Sequence, residues 1–321
     1  MKHIDVTALG ELLIDFTENG LSPQGNPLLE ANPGGAPCNV LAMLSKLGHR
    51  TAFVGKVGAD MFGRRLRRVV TDAGIDTSGL VEDKDVNTTL AFVQTLADGD
   101  RDFSFYRNPG ADMMLTAADV KEELVANCRI FHFGSLSMTA DGCRKATEAS
   151  IARAKQAGAL ISFDPNLREP LWDSLETAKE RILYGLEQCD ILKISDNEIE
   201  WLTGETDYKK AAESLKAKYR IPLILVSLGK NGSMALSDVA FAKMPGYRVN
   251  TIETTGAGDT FCACVLHYIL EHGFRAYNEE ELTELLRFAN GAAAIVTTRK
   301  GALSVMPEKT EVEALIGKSD L

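Results

Sequence analysis

The chain has 321 residues, 45% apolar and 25% charged, enough for one large α/β domain or two small ones. Its net charge of −10 argues against a nucleic-acid partner, and no stretch approaches the roughly 20 uninterrupted apolar residues of a membrane span. The opening Met1-Lys2-His3-Ile4-Asp5 puts an acidic residue where a signal peptide carries its apolar stretch, so a cytoplasmic location is expected.

The first predicted element is a strand over residues 4–9. Residues 11–32 then break the rhythm with a strand-like run at 12–16, a Gly/Pro loop and a second apolar run at 28–31. A helix is predicted over 38–47, a strand over 51–57 and a helix over 63–73, whose Arg64-Arg65-Leu66-Arg67-Arg68 reads as a solvated face. Residues 88–107 read as a hairpin with its turn at Ala97-Asp98-Gly99-Asp100. In its first strand Leu90, Phe92 and Leu96 share one face and Ala91 and Val93 the other, so both sides need cover: one from a ligand, the other from a second subunit. Strands at 129–133, 159–163, 191–194 and 223–227 then alternate with helices at 141–156, 175–188 and 209–219, and the last third turns helical at 257–271 and 279–296.

This alternation predicts an α/β fold in three layers, a mostly parallel sheet with helices on both faces. The chain reads as a single domain over 1–321. Segments at about 11–32 and 88–116 are set in it as a small antiparallel β-sheet lid. The six cysteines form no Cys-x-x-Cys pair and are expected reduced and mostly buried. His267 and His272, five apart, are poorly spaced for one metal and are expected in packing or surface roles.

The most informative stretch is Thr254-Thr255-Gly256-Ala257-Gly258-Asp259-Thr260-Phe261, followed by an apolar helical run. Thr254 or Thr255 can cap that helix, and the glycines let a ligand approach the backbone. Free N–H groups at a helix start bind anions. A carboxylate there would repel phosphate, but it suits a hydroxyl about to attack a phosphoryl group. Without further support the same residues could be only a helix start with Asp259 complementing the dipole.

Other clusters carry weaker signals. Gly34-Gly35 with Asn39 opens the helix at 38–47 and offers close backbone approach and an amide, which polyol substrates want. Asp164-Pro165-Asn166-Leu167-Arg168 follows a strand, at the end where open α/β sheets bind ligands. Arg168 could reach a phosphate there and Asn166 a sugar hydroxyl. Asn197 and Glu200, three apart on one helical face, suit a hydrated Mg²⁺ or form ordinary helix surface. Ser227-Leu228-Gly229-Lys230-Asn231-Gly232 ends a strand and could hold a nucleotide or merely turn. No GxxxxGK[ST] is present, and the Gly-x-Gly of 256–258 lacks the third glycine of a dinucleotide fingerprint.

Taken in order, Gly34-Gly35 with Asn39, Gly55-Lys56-Val57-Gly58, Asp164-Pro165-Asn166, Asn197 with Glu200, Gly229 and Thr254–Asp259 resemble the ribokinase-like (PfkB) carbohydrate kinase family along almost the whole chain. Gly10–Phe16, Pro33–Pro37, Phe105–Met113 and Phe163–Arg168 look most like its fructokinase members. The resemblance implies transfer of the γ-phosphoryl group of MgATP to a sugar hydroxymethyl group. It implies Asp259 as base, with Gly256, Ala257 and Gly258 as the anion hole. Asp15, Gly34, Gly35, Asn39, Phe105, Arg107, Asn166 and Arg168 fall on the sugar side. Asn197, Ser227, Gly229, Gly232, Gly258 and Asn290 fall on the nucleotide side. Mg²⁺ would sit at Asn197 and Glu200, and K⁺ at Glu253 and Thr255, although Glu253 stands where the family usually has aspartate. Cys264 likewise stands where a small glycine or alanine is common.

The expected partners are ATP and a small sugar, with a homodimer formed through the lid. The expected reaction makes fructose 6-phosphate and ADP. The rivals are the same chemistry on 2-keto-3-deoxygluconate, ribose or a nucleoside, and a catalytically silent sugar- or nucleotide-binding regulator. A regulator would not need to keep Asp259 beside an intact glycine loop.

Overall fold

Nine strands make the main sheet: β1 (Ile4–Leu9), β4 (Thr51–Gly58), β5 (Ile75–Asp83), β8 (Cys128–Gly134), β9 (Leu160–Asp164), β10 (Ile191–Ser195), β11 (Leu223–Ser227), β12 (Ser233–Leu236) and β13 (Phe241–Met244). Their order in a computed structural model, which describes residues 2–95 and 101–318, is β13-β12-β11-β10-β9-β8-β1-β4-β5. All neighbours are parallel except at one edge, where β12 and β13 run antiparallel. Helices α1 (Ala36–Lys46), α2 (Met61–Asp72), α8 (Ala257–His272), α9 (Glu279–Val296) and α10 (Lys309–Gly317) bury their apolar sides against one face. Helices α3 (Glu122–Ala126), α4 (Asp141–Gln156), α5 (Leu175–Gln188), α6 (Asp196–Thr203) and α7 (Tyr208–Tyr219) cover the other.

The strand period of two decides which side chains meet which layer. Phe131, Phe133, Ile161, Phe163, Leu192 and Ile194 enter the core under α4, α5 and α6, where the rings of Phe133 and Phe163 stack at 4.7 Å. Their alternates, His132, Ser162, Asp164 and Lys193, belong to the opposite face, toward α8. They form a buried polar lane there: His132 Nδ1 lies 2.9 Å from Ser162 Oγ, and Lys193 Nζ lies 2.9 Å from Asp164 Oδ2. Burial, with Lys193 adding to it, holds His132 down to about 3 and so neutral.

The small sheet is β3-β2-β6-β7, built from β2 (Leu13–Leu21), β3 (Pro27–Gly34), β6 (Leu90–Thr95) and β7 (Arg101–Tyr106). It is mixed rather than antiparallel, because β2 pairs with β6 in parallel. The reason is topological: β2 follows β1 and β6 follows β5, two parallel strands of the main sheet, so both leave its carboxyl edge in the same direction. The expected turn at 97–100 and Leu96 lie outside the described residues. Residues 107–116 do not belong to this sheet; Arg107, Ala111 and Leu115 are buried in the main body.

Three further differences have local causes. β5 escapes notice because Asp76, Ser78 and Gly79 dilute its apolar pattern at a sheet edge. β12 and β13, four residues each, are too short to register and make the last third less helical than expected. α10 has one fully buried side chain, Val312, and no apolar stripe to announce it. The arginine run does lie on α2, with Arg67 bonded to the carbonyls of Thr77 and Leu80. All six cysteines are free and buried. No helix among the described residues is long and apolar enough to cross a membrane.

Helix α1 owes its position to Glu11. Gly35 ends β3 at φ 129°, and a Cβ there would collide with the Glu11 carbonyl. No side chain of the local sequence caps α1; instead Glu11 Oε1 accepts the Ala36 N–H at 2.9 Å. Burial pushes the Glu11 carboxyl from 4.5 up to about 7, against the lowering effect of this backbone bond and of Arg107. A carboxyl whose pKa is raised by folding favours the folded state below its unfolded pKa and loses that contribution as pH rises through the folded value. Glu11→Gln keeps the acceptor and removes the titration. In urea unfolding, the stability of the variant relative to the parent should rise by up to about 3 kcal/mol between about pH 5 and about pH 8. A difference that stays constant over that range contradicts the assignment.

Candidate active site

Helix α8 begins without a side-chain cap. Gly256 is its N-cap residue at φ 80°, a left-handed conformation open to glycine, and neither threonine caps it as expected. A capping hydroxyl would occupy N–H groups that no side chain takes at this helix start. Thr255 Oγ1 instead donates to Glu253 Oε1 at 2.8 Å, and the Gly301 N–H donates to Glu253 Oε2 at 3.2 Å. The Ile252 and Glu253 N–H groups both donate to the Thr297 carbonyl, so Glu253 and its neighbours tie the loop before α8 to the loop after α9. Within the first turn the Ala257 N–H is taken by the Thr254 carbonyl at 3.2 Å. Gly258 and Asp259 follow, with N–H groups that have no acceptor inside the helix.

Asp259 is buried and accepts a 2.8 Å hydrogen bond from Asn39 Nδ2 of α1. Burial raises its pKa, while the Asn39 bond, Lys193 and Arg168 oppose the rise. Beneath it lies the Lys193–Asp164 pair, and a Cβ on Gly258 would come within 3.0 Å of Lys193 Nζ. Burial alone would lower the Lys193 pKa, but Asp164, Glu198 and Asp259 outweigh it and hold the ammonium charged. Burial also pushes Asp164 up to about 6, against the pull of Lys193.

Two cavities meet at this loop. One, of about 370 Å³, is lined from the main body by Glu11, Asn39, Asn166, Arg168, Lys193, Glu198 and Asp259, and from the small sheet by Asp15, Asn32, Val93 and Phe105. A Cβ on Gly34 would displace the Asp15 carboxylate from its present position. Asn166 holds a left-handed φ of 44°, and Arg168 is exposed at the rim with one Nη donating to the Leu167 carbonyl. The second cavity, of about 640 Å³, is lined by Gly232, Tyr247, Arg248, Ala257, Phe261 and Asn290 among others. Ser227, Gly229, Thr254 and Gly258 line both. Asn290 contributes surface but its amide is committed: Oδ1 accepts from Ser233 Oγ at 2.7 Å and Nδ2 donates to the Pro245 carbonyl at 3.2 Å. Gly232 is required by its φ of 95° and by the Met244 carbonyl, which a Cβ would hit.

Three expected site residues stand elsewhere. Arg107 does not line either cavity. Its guanidinium is buried against Asp112, Thr139 Oγ1 and the Leu136 carbonyl, where it pins the root of β7 to the main body. Asn197 and Glu200 are exposed, and Glu200 accepts a hydrogen bond from Tyr208 on the outer side of α6. The residues that face the cavity are two positions earlier, Ser195 and Glu198. They form a reciprocal cap at the start of α6, with Glu198 Oε2 accepting from Ser195 and Oε1 from the Leu167 N–H at 2.7 Å. The helix starts at Asp196, so counting from there turns Asn197 outward.

Sequence reasoning also passed over Lys193 and Glu11. Lys193 left a signal, a lone ammonium inside the apolar strand Ile191-Leu192-Lys193-Ile194, where a buried lysine needs a carboxylate partner. Tyr247 left none; its hydroxyl is buried in the second cavity's wall with no hydrogen-bond partner among the described residues.

The pfkB family carbohydrate kinase model matches residues 3–309. Fructokinase-1 of Zea mays is 43% identical over 316 residues, covering 98% of each chain. The crystal structure of a Xylella fastidiosa fructokinase with bound ATP superposes with a TM-score of 0.89 at 33% identity, again over 98% of each chain. A Vibrio cholerae fructokinase double mutant, in its fructose-, ADP- and potassium-bound form, superposes with a TM-score of 0.86 at 28% identity, covering 98% of this chain and 99% of that one. With a family model matched over nearly the whole chain and a fold shared from end to end with fructokinases, the chain belongs to the pfkB family of carbohydrate kinases.

Proposed function

We propose that this protein transfers the γ-phosphoryl group of MgATP to the 6-hydroxyl of fructose, releasing ADP and fructose 6-phosphate. The observation that carries the reading is the position of Asp259, on the wall of the smaller cavity and next in sequence to Gly258, which lines both. The full-length fructokinase relatives support fructose as the sugar. The larger cavity takes the nucleotide and the smaller one, with Asp15, Asn32 and Asn39, takes the polyol.

In the reaction the hydroxyl oxygen bonds to the γ-phosphorus as the bond from phosphorus to the β,γ-bridging oxygen breaks, and Asp259 accepts the hydroxyl proton. Such transfers depend on positioning and charge stabilisation more than on a strong base. Asn39 fixes one carboxylate oxygen of Asp259 and leaves the other to the sugar. The Gly258 and Asp259 N–H groups and the Lys193 ammonium face the charge that builds on the transferred group.

Magnesium fits here at different residues from those first expected. Asp196 and Glu198 both line the sugar-side cavity, and their oxygens are shared with backbone N–H groups, which suits contact through water. When bound, the ion neutralises the phosphate oxygens. Glu253 and Thr255, which meet the Gly301 loop, are the groups to hold K⁺.

An acidic sugar such as 2-keto-3-deoxygluconate loses support, because Arg107 is spent on Asp112. The small sheet is read as a lid whose inner side faces the sugar. Its outer side carries Phe16 stacked on Phe92 at 4.9 Å, with Tyr106 beside them 67% exposed, and Leu29 exposed on β3. A second copy of the chain is proposed to cover this side.

In coupled assays across fructose, ribose, glucose and 2-keto-3-deoxygluconate, with and without K⁺, kcat/KM should be highest for fructose. A tenfold or greater preference for another acceptor, on the order of 1.4 kcal/mol in transition-state binding, overturns the sugar assignment. Asp259→Asn should keep ATP binding and lose kcat by on the order of a thousandfold or more. Lys193→Met paired with Asp164→Asn, which removes the buried ion pair as a unit and leaves Asp259 its Asn39 hydrogen bond, should fold and lose kcat by about 100-fold with a smaller change in KM. Near-parental turnover in either variant removes that residue from the mechanism. Light scattering should give a dimer mass that Tyr106→Glu converts to a monomer; a parent that is monomeric refutes the interface.

A further inference from the structure

Away from the two cavities, a second group of side chains converges where α1 and α8 end. His49 follows α1, while His267 and Glu271 sit four apart on one face of α8. His49 Nε2 and His267 Nδ1 face each other at 2.7 Å, and one ligand atom from each of His49, His267 and Glu271 lies within 4.8 Å of the other two. The imidazoles are half-buried and the carboxylate is exposed. His267 also lines a cleft of about 380 Å³ among α8, α9 and α10, so solvent reaches the site. The spacing of His267 to His272 is irrelevant to it: His272 turns away and stacks on Tyr268 at 4.1 Å.

We propose that His49, His267 and Glu271 form a binding site for a divalent transition-metal ion of the zinc class. Two imidazole nitrogens and one carboxylate oxygen are a borderline donor set suited to Zn²⁺, Co²⁺ or Ni²⁺ and poorly suited to Mg²⁺. Two nitrogens bound to one tetrahedral ion at 2.0–2.1 Å stand about 3.3 Å apart. The present separation is shorter, so the rings need to part by roughly 0.6 Å for an ion to enter between them. In the hydrogen-bonded pair one ring donates to the other. On binding, that ring moves its proton to its outer nitrogen, and both inner lone pairs become ligands. Three protein ligands leave further positions to water, as the exposure of Glu271 allows.

The electrostatic surroundings favour neutral rings. Burial lowers the pKa of His49, with Arg129 adding to it and Asp5 and Glu271 opposing. Burial holds His267 at about 4, with His49, Lys309 and His272 adding and Glu271 opposing. Neutral imidazole is the ligating form.

The site has a mechanical consequence as well. α1 and α8 run side by side and in the same direction: their first turns are joined by the Asn39–Asp259 hydrogen bond, and their far ends by His49 and His267. Eight helical residues separate Asp259 from His267, about 12 Å at 1.5 Å per residue. An ion at the far end would clamp the two helices that hold the proposed catalytic pair, without touching substrate.

The test is titration calorimetry of the untagged full chain, stripped with chelator and then given ZnCl₂, with the visible bands of Co²⁺ as a second readout. We expect one ion per chain, tetrahedral Co²⁺ bands and a thermal midpoint that rises with zinc. His49→Asn and His267→Asn should each weaken zinc binding by about 100-fold or more, since loss of even outer-shell partners costs 10–100-fold. Glu271→Gln, on the exposed side, should weaken it less while leaving the fold intact. Absence of binding, or zinc affinity and Co²⁺ bands unchanged in both histidine variants, overturns the proposal. Kinase turnover in the variants shows that each is folded.

Discussion

One buried ammonium organises the site. Lys193 comes up from the middle of β10 beneath helix α8 and stands among Asp164, Glu198 and Asp259. An isolated charge at that depth would cost far more than the fold could bear, so the lysine and its carboxylates are each other's condition for being buried. The balance is uneven, with one cation against three acids. Such a centre is poorly matched to a bare phosphate chain and well matched to a nucleotide that brings its own divalent counter-ion. The lysine also dictates its ceiling. Gly258 passes within contact distance of Nζ, and any side chain there would press on the ammonium.

The same economy governs the helix starts. α1 and α8 both begin at glycines with positive φ, and neither receives a cap from its own flanking side chains. For α1 the missing cap is supplied by Glu11 across the fold, which fixes the helix and therefore Asn39. For α8 the cap position is left open toward the cavities. The difference between a structural helix start and a binding one lies in what reaches the first-turn N–H groups, and here the two stand side by side, joined by Asn39 and Asp259.

Much of this was legible in the chain. The long apolar strands and the helices over 141–156, 175–188 and 279–296 follow directly from period and caps, and the glycine-rich run before Asp259 announces both a helix start and a carboxylate on a cavity wall. What escaped is instructive. Asn197 and Glu200 have the right spacing, but a spacing of three fits any two residues of a helix so separated. Only the point where α6 begins distinguishes them from Ser195 and Glu198. Arg107 lies two positions after a true cavity residue, Phe105, but β7 has ended by then and Asp112 draws it into the body of the protein. A sequence records that a cation exists and leaves its counter-charge to be found in three dimensions. His49 and His267, 218 positions apart, carry the same lesson.

The connection between the small sheet and the main body completes the argument. β3 contributes Asn32 and Pro33 to the wall of the smaller cavity and passes through Gly34 and Gly35 directly into α1, whose first turn carries Asn39. No flexible linker intervenes. A displacement of the small sheet is therefore passed through two glycines to the residue that holds Asp259. Asp15 lies against Gly34 on the neighbouring strand and moves with it. The small-sheet residues on the cavity wall and the orientation of the carboxylate on α8 are thus mechanically linked. In the proposed reaction, engagement of the sugar by the small sheet and alignment of Asp259 would be parts of one motion, one that keeps the phosphoryl group from water until an acceptor hydroxyl is in place.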